Sequence, residues 1–207
     1  MLSVVKGNMV ADGARQLDDR QLAMQARKGD EHAFSELVKR HSGGLHRAVS
    51  RVLCDDSEAW DVVQMAFLKA WQSLDRYNPK WSFATWAYRI GTNLAIDVIR
   101  SRKSRERAHQ AGTEHRLRVV GTHEPTSVKA AQSDANRVLA RVLPALSAQQ
   151  RAAFVLREVE GLETAEVAAA LGCSPTTVRN HVFQARKTLK KEIARHFPEY
   201  LPASRRS

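Results

Sequence analysis

A glycine-containing break between two helical patterns constrains the C-terminal third of the chain more than any other feature. Residues 166–171 have the composition of a short helix, and Gly172 follows them with the left-handed freedom that a tight turn requires. Ser174 and Pro175 are typical of the N-cap and the first position of a second helix. The predicted buried stripe of that second helix is Val178, Val182, Ala185 and Leu189. This pattern predicts a helix-turn-helix.

The second helix of such a motif enters the DNA major groove by its N-terminal end. Arginine and asparagine side chains there suit paired hydrogen bonds with guanine and adenine edges. The candidate DNA-binding residues are Ser174, Thr176, Thr177, Arg179, Asn180, Phe183, Gln184, Arg186 and Lys187. The alternative interpretation is a helical hairpin whose basic face only contacts water.

The net charge of the chain favours a polyanionic partner. It has 33 Lys and Arg against 22 Asp and Glu, a formal charge of +11. Nucleic acid and an anionic membrane surface both suit that excess. No stretch approaches the ~20 apolar residues of a membrane span, and the N-terminus lacks a signal-peptide pattern. We therefore expect a cytoplasmic protein with no membrane insertion.

Neither a metal nor another cofactor is expected. The two cysteines, Cys54 and Cys173, lie far apart and are expected to be small buried side chains. The chain has no HExxH motif and no Walker-type phosphate loop. Its carboxylate pairs, at 18–19 and 55–56, precede predicted helices, where capping explains them.

The rest of the chain predicts an all-α fold of two small helical domains joined by a flexible linker. Helical patterns cover residues 19–28, 31–53, 57–71 and 81–102, with a turn at 76–80, and return from 135 to 197. Residues 104–133 have few large apolar side chains, as linkers do.

The third helical pattern carries a possible protein-binding face. Its predicted core stripe is Trp60, Val63, Phe67 and Trp71. Asp61, Gln64 and Leu68 lie on a neighbouring face at i, i+3 and i+7. This mixed face suits a partner with arginine and apolar groups, although an ordinary solvated face has the same composition.

The fourth pattern combines aromatic and basic residues. Trp86, Arg89 and Asn93 share one face, and Arg100 begins a basic run. Such a combination can stack unpaired bases and follow the backbone of a single strand. The alternative is that Trp86 belongs to the core. Gly91 interrupts this helix, and close packing is the only explanation that the sequence offers.

Four stretches, residues 33–38, 61–71, 83–97 and 146–189, resemble the extracytoplasmic-function sigma factors in order and spacing. The resemblance implies that region two spans 19–103 and region four 136–196, with a tail at 1–18, a linker at 104–135 and a second tail at 197–207. It also implies that the protein is no enzyme, and that the linker runs through the polymerase channels toward the RNA exit path.

The resemblance further implies partners and roles for individual residues. Asp61 and Gln64, with Leu68 beside them, match the motif that binds the clamp coiled coil of core RNA polymerase. The turn at 76–80 matches the loop that captures a flipped base of the −10 element in promoter DNA, and the second helix of the final motif would read the −35 element. An anti-sigma factor would mask both domains. The implied −10 and melting residues are Arg76, Tyr77, Asn78, Lys80, Trp86, Arg89, Asn93 and Arg100.

Three positions depart from the family pattern. Glu163 stands where the family usually has serine, so Thr164 is expected to provide the helix cap instead. Asn180 and Gln184 stand where serine and arginine are common, which leaves the −35 sequence open. Two other functions stay as alternatives: a stand-alone helix-turn-helix regulator, and a DNA-processing enzyme, which would need clustered metal-binding carboxylates.

Overall fold

The computed structural model describes residues 17–111 and 134–200, and all regular structure within them is helical. The predicted tail before residue 17, most of the predicted linker, and the chain after residue 200 lie outside the described residues. The α-helices are α1 (Asp19–Ala26), α2 (Glu31–Leu53), α3 (Ala59–Gln72), α4 (Phe83–Ala111), α5 (Asp134–Val142), α6 (Ala148–Phe154), α7 (Thr164–Leu171) and α8 (Pro175–His196). Short helical turns cover Leu74–Arg76, Leu143–Ala145, Val155–Val159 and Pro198–Tyr200.

The first domain is a bundle of α1 to α4 around an aromatic centre. Phe83, the first residue of α4, is fully buried. The ring of Phe34 lies 6.3 Å from that of Phe83 and 5.0 Å from that of Trp71. Burying such large rings supplies much of the hydrophobic stabilisation of a small domain.

Helix α1 has the acidic cap that the sequence predicted, and it is fixed to α2 by polar contacts that the sequence did not predict. Asp18 caps α1 and forms a capping box with Gln21. The Arg40 guanidinium donates to the Leu17 carbonyl over 2.8 Å and to Asp19 over 3.0 Å. These bonds hold the start of α1 against the middle of α2.

Helices α2 and α4 are in close contact at Gly91. A Cβ atom at this position would lie 2.8 Å from Leu45 Cδ1 and 3.3 Å from Val49 Cγ2. Both α2 residues are buried. Close packing therefore explains the glycine inside an otherwise regular helix.

The loop between α2 and α3 differs from the prediction at Cys54. This residue ends α2 in the left-handed conformation, with φ of 56°, and is exposed rather than buried. The Asp55 carboxylate accepts from the amide and hydroxyl of Ser57 and from the Glu58 amide. It therefore orders the turn before α3 and does not cap the helix as predicted, since the N-cap residue of α3 is Glu58. Cys173 is half-buried.

Helix α4 is longer than the sequence pattern indicated, because it continues to Ala111 through residues assigned to the linker. Arginine, glutamate, glutamine and alanine in this stretch have high helix propensity. Arg102 also pairs with Asp55 and Glu58 and so fixes the helix to the start of α3. The boundaries of the domains stay predictions.

The second domain contains the predicted helix-turn-helix. Gly172 ends α7 with φ of 63°, Ser174 accepts from the Thr177 amide over 3.0 Å, and Pro175 opens α8. The predicted stripe of Val178, Val182, Ala185 and Leu189 is buried. The expectation for Thr164 was wrong, since Glu163 is the N-cap residue of α7 and its amide donates to Glu166 Oε2 over 2.9 Å.

The two domains pack against each other. One continuous hydrophobic cluster contains Leu45 and Val52 of the first domain and Val142, Leu146 and Val155 of the second. The predicted all-α fold of two helical domains is confirmed.

Candidate polymerase and nucleic-acid interfaces

Helix α3 presents the predicted face to solvent. Asp61, Gln64 and Leu68 are all exposed, and the Leu68 residue retains 49% of its accessible surface. The opposite side of the helix buries Val63 and Phe67. The three side chains therefore form a contiguous surface in which a carboxylate and an amide lie beside an apolar residue.

Trp60 extends this surface, so its assignment to the core was wrong. It is 48% exposed, and its ring stacks on His46 at 4.1 Å between centroids. Met65, on the other edge of the face, is 46% exposed. The predicted stripe continued one turn too far, because Ala59 rather than Trp60 is the buried residue at the start of α3.

The turn between α3 and α4 is built on a buried tyrosine. Tyr77 is only 5% exposed, and its hydroxyl donates to the Trp81 carbonyl over 3.0 Å. Asn78 closes the turn by accepting from the Lys80 amide over 2.9 Å. Of the four predicted −10 residues in this turn, Arg76, Asn78 and Lys80 are exposed. Tyr77 supports them from below and has no surface for contacting a base in this conformation.

The predicted DNA face of α4 is present. Arg89, Asn93 and Arg100 are exposed along one side of the helix, and Arg100 lies 3.6 Å from Asp97. Trp86 is half-buried, with its ring 5.3 Å from that of Tyr77. Trp86 thus belongs partly to the core and partly to the surface.

A small cleft joins the turn to this face of α4. Its walls include Arg76, Asn78, Trp81, Thr85, Trp86 and Arg89 from the first domain, and Ala169 and Ala170 of α7 from the second. The structure therefore brings four predicted −10 residues of the turn and α4 close together: Arg76, Asn78, Trp86 and Arg89. It also places a helix of the other domain beside them.

The N-terminal half of α8 exposes most of its predicted DNA-binding residues. Phe183 is 65% exposed, an unusual environment for an aromatic side chain of a folded domain. An apolar side chain at this place can contact a thymine methyl group in the major groove. The other exposed members are Ser174, Thr176, Arg179, Asn180, Gln184, Arg186 and Lys187.

Three of the predicted residues also have bonds within the protein. The hydroxyls of Ser174 and Thr177 lie 2.8 Å apart, and Ser174 caps the helix. Arg186 donates to Glu158 over 2.6 Å, although its side chain is still 63% exposed. These bonds orient the start of α8 and the arginine that follows on the same helix.

Sequence reasoning missed the groups at the domain boundary. Glu160 accepts from Arg51 over 2.8 Å and from the Tyr88 hydroxyl over 3.2 Å. Burial, reinforced by the Glu160 carboxylate, raises the pKa of Tyr88 to about 12, so its hydroxyl keeps its proton for donation. No local pattern could reveal these contacts, because Arg51 and Glu160 are 109 positions apart.

The described residues offer neither a metal site nor a membrane helix. Within 17–111 and 134–200, no three histidine, cysteine or acidic side chains are arranged to hold a metal ion. In the same residues, no helix is both long enough and apolar enough for a membrane crossing.

Two family models match the chain. The model of sigma-70 region 2 matches residues 37–105, and the model of sigma-70 region 4 matches residues 136–189. The first match covers most of α2, all of α3, and α4 as far as residue 105. The second covers most of α5 and continues through much of α8. The surfaces described above thus lie on both matched segments.

Similar proteins match over nearly their whole length. The ECF RNA polymerase sigma-E factor of Haemophilus influenzae is 32% identical over 192 residues, which cover 87% of this chain and 97% of that protein. The RNA polymerase sigma-H factor of Pseudomonas aeruginosa is 30% identical over 186 residues, covering 86% of this chain and 95% of the relative.

Two solved structures also match most of this chain. The structure of CnrH in complex with the cytosolic domain of CnrY matches with a TM-score of 0.63 and 30% identity, covering 86% of this chain and 98% of CnrH. The sigma factor RpoE of Bartonella quintana, in complex with the anti-sigma factor NepR, matches with a TM-score of 0.62 and 23% identity, covering 77% and 96% of the two chains. The latter likeness shows the fold alone. Both sigma-70 regions match this chain, and its relatives align over nearly their whole length. The chain therefore belongs to the extracytoplasmic-function family of RNA polymerase sigma factors, which act in transcription initiation.

Proposed function

We propose that this sigma factor binds core RNA polymerase through the α3 face of Asp61, Gln64 and Leu68. The observation that supports this proposal most strongly is the geometry of that face. The three side chains are contiguous and solvent-exposed on a helix whose other side is firmly buried. Trp60, Met65 and Leu68 together expose a large apolar area beside these polar groups, as surfaces that a partner covers do.

The proposed −10 surface consists of the turn between α3 and α4 and the exposed side of α4. Arg76, Asn78 and Lys80 would contact a flipped base or its backbone, and Trp86 and Arg89 would line its pocket. Asn93 and Arg100 would follow the non-template strand further along α4. Basic residues beside an aromatic ring suit an unpaired strand, and extruding a base costs a few kcal/mol that pocket contacts offset.

The proposed −35 surface is the N-terminal half of α8. Arg179, Asn180, Phe183 and Gln184 would contact base edges, whereas Arg186 and Lys187 would contact phosphates. Ser174 and Thr177 fix the helix start through their mutual hydrogen bond, and Thr176 lies exposed beside them. Because the proposed −10 and −35 surfaces lie on different domains, they can read two separated promoter elements.

The proposed domains are region two at 19–103 and region four at 136–196. We also infer an anti-sigma partner, because the family resemblance implies one and because CnrH, at 30% identity, is in complex with the cytosolic domain of CnrY. The protein would act in the cytoplasm with the polymerase and would itself make or break no covalent bond.

The test of the α3 face is a binding measurement with purified core polymerase. The double variant Asp61→Ala, Gln64→Ala is compared with the control Gln25→Ala, Glu31→Ala, which removes an exposed amide and an exposed carboxylate from α1 and α2. The α3 variant is expected to bind at least tenfold more weakly, about 1.4 kcal/mol, and the control as tightly as the unmodified chain. Equal binding by all three proteins would show that the interface lies elsewhere.

A further inference from the structure

The exposed side of α4 continues beyond the residues proposed for the −10 surface. Arg89 and Arg107 are separated by about five turns of an α-helix, so they project from the same side. Three further polar residues lie within about 40° of the line that joins these two, given the helical repeat. The complete row on this side is Arg89, Asn93, Arg100, Lys103 and Arg107. All of its members are exposed, and the row extends over about 27 Å of the helix.

Arg102 fixes the direction of this extension of α4. Its guanidinium lies on the opposite side of the helix, 3.0 Å from Asp55 Oδ2, and also pairs with Glu58 at the start of α3. This attachment to the first domain immediately precedes Lys103, so it sets which side of the extension faces outward. Within the described part of the chain, neither Lys103 nor Arg107 forms an ion pair with a carboxylate. Both cations are therefore available to an external anion.

The two ends of the row differ in chemistry. At its start, Arg89 lines the cleft together with Trp86 and the turn before α4. After Tyr88, the sequence of α4 contains no further phenylalanine, tyrosine or tryptophan. Proteins that bind unpaired strands stack bases on aromatic rings, whereas the phosphates of a duplex need only positive charge. The far end of the row thus suits paired DNA better than a separated strand.

The other charged residues of this half of α4 lie outside the row. Asp97 is 3.6 Å from Arg100, and Glu106 is exposed at the other edge. Arg105 is an exposed cation of the same segment, but it projects from the helix about 160° away from the row. It forms no ion pair among the described residues either. Arg105 therefore provides a control that has the same charge and a different direction.

We propose that Lys103 and Arg107 bind phosphates of the paired DNA that adjoins the −10 element, so that α4 spans the junction between separated and paired strands. This proposal rests on the −10 surface proposed above. Arg107 lies about 27 Å along the helix from Arg89 and the base pocket, a distance equal to about eight base pairs of duplex. Because the contact is with the backbone alone, it adds affinity for every promoter and no sequence preference.

The test uses holoenzyme assembled from core polymerase and the full-length chain. Lys103→Ala, Arg107→Ala and Arg105→Ala each remove one positive charge from the same segment, but only the first two remove it from the row. The probe is a labelled promoter fragment that the unmodified holoenzyme transcribes, and its dissociation constant is measured over a range of salt concentrations. A second probe retains the unpaired −10 strand and lacks the adjoining duplex. Binding of each variant to core polymerase is measured in parallel.

Lys103→Ala and Arg107→Ala are each expected to reduce the salt slope of binding to the full fragment by about 0.9, because each loses one phosphate contact with duplex DNA. That slope corresponds to about eightfold weaker binding in about 0.1 M salt. Their relative affinities for different promoters, their binding to the second probe and their binding to core polymerase are expected to be unchanged. Arg105→Ala is expected to bind both probes as the unmodified holoenzyme does.

Equal weakening by Arg105→Ala would show an effect of net charge alone, and the proposal would be wrong. It would also be wrong if the loss persisted on the probe without duplex, or if the variants bound core polymerase more weakly. Arg89→Ala separates this proposal from the one on which it rests, since it is expected to weaken binding to both probes. If Arg89→Ala leaves both unchanged, the proposed −10 surface fails instead.

Discussion

Gly91 allows a direct measurement of how tightly α2 and α4 pack. In Gly91→Ala the new methyl group would lie 2.8 Å from Leu45 Cδ1 and 3.4 Å from Leu45 Cγ. Carbon atoms that are not bonded prefer separations of about 3.5–4.0 Å. Leu45 is only 1% exposed, so it has little room to move away.

A second glycine provides the matched control. Gly43 also lies inside a helix, but a Cβ there would meet only Arg47 Nη1, at the ordinary distance of 3.7 Å. Replacing a helical glycine by alanine favours the folded state by about 1 kcal/mol. Overpacking of a core costs about 1–3 kcal/mol. The difference between the two variants isolates this packing cost, because the gain in helix propensity is common to both.

Urea unfolding followed by circular dichroism measures both variants. We expect Gly43→Ala to raise the free energy of unfolding by about 1 kcal/mol, and Gly91→Ala to fall below it by about 1–3 kcal/mol. Equal stabilisation by the two substitutions would show that α2 and α4 have space between them at Gly91. The close-packing explanation of this glycine would then be wrong.

Two further predictions concern pH and promoter recognition. The Ser57 hydroxyl and Arg102 lower the pKa of Asp55 from 3.8 to about 2, so the stability that its carboxylate contributes is complete above about pH 5 and is lost as the pH falls toward 2. Acid titration of stability in Asp55→Asn should lack this step, and an unchanged profile would contradict the assignment. Arg179→Ala should lose about 1–3 kcal/mol of discrimination among −35 sequences, whereas Lys187→Ala should weaken binding to all of them alike. Binding to a library of −35 sequences distinguishes the two effects. Uniform weakening by Arg179→Ala would show that Arg179 contacts a phosphate.

The helix-turn-helix could be predicted from the sequence because its signals are local. Gly172, Ser174 and Pro175 each fix one backbone position, and the stripe ending at Leu189 fixes the buried side of α8. The side of each helix that faces the core was predicted less well at its ends. Trp60 continues the helical spacing of the predicted core stripe. At this end of α3, however, the buried residue is its neighbour Ala59, and Trp60 lies on the exposed side.

The chemistry of individual surface residues was harder to predict. A tyrosine in this turn suggests a base-binding side chain, but packing against Phe83 and Trp86 buries Tyr77. Glu160 has no local signal at all, since both of its partners lie on the other domain. A periodic pattern reports which side of a helix is apolar, whereas contacts between distant segments depend on the tertiary packing.

Run-off transcription tests the central claim most directly. Core RNA polymerase is combined with the purified chain and a library of promoter fragments, and transcripts are sequenced from their 5′ ends. A sigma factor with two DNA-reading domains predicts discrete start sites downstream of two shared sequence elements, and their loss in Asp61→Ala, Gln64→Ala. Transcripts that are the same with and without the chain would contradict its function as a sigma factor.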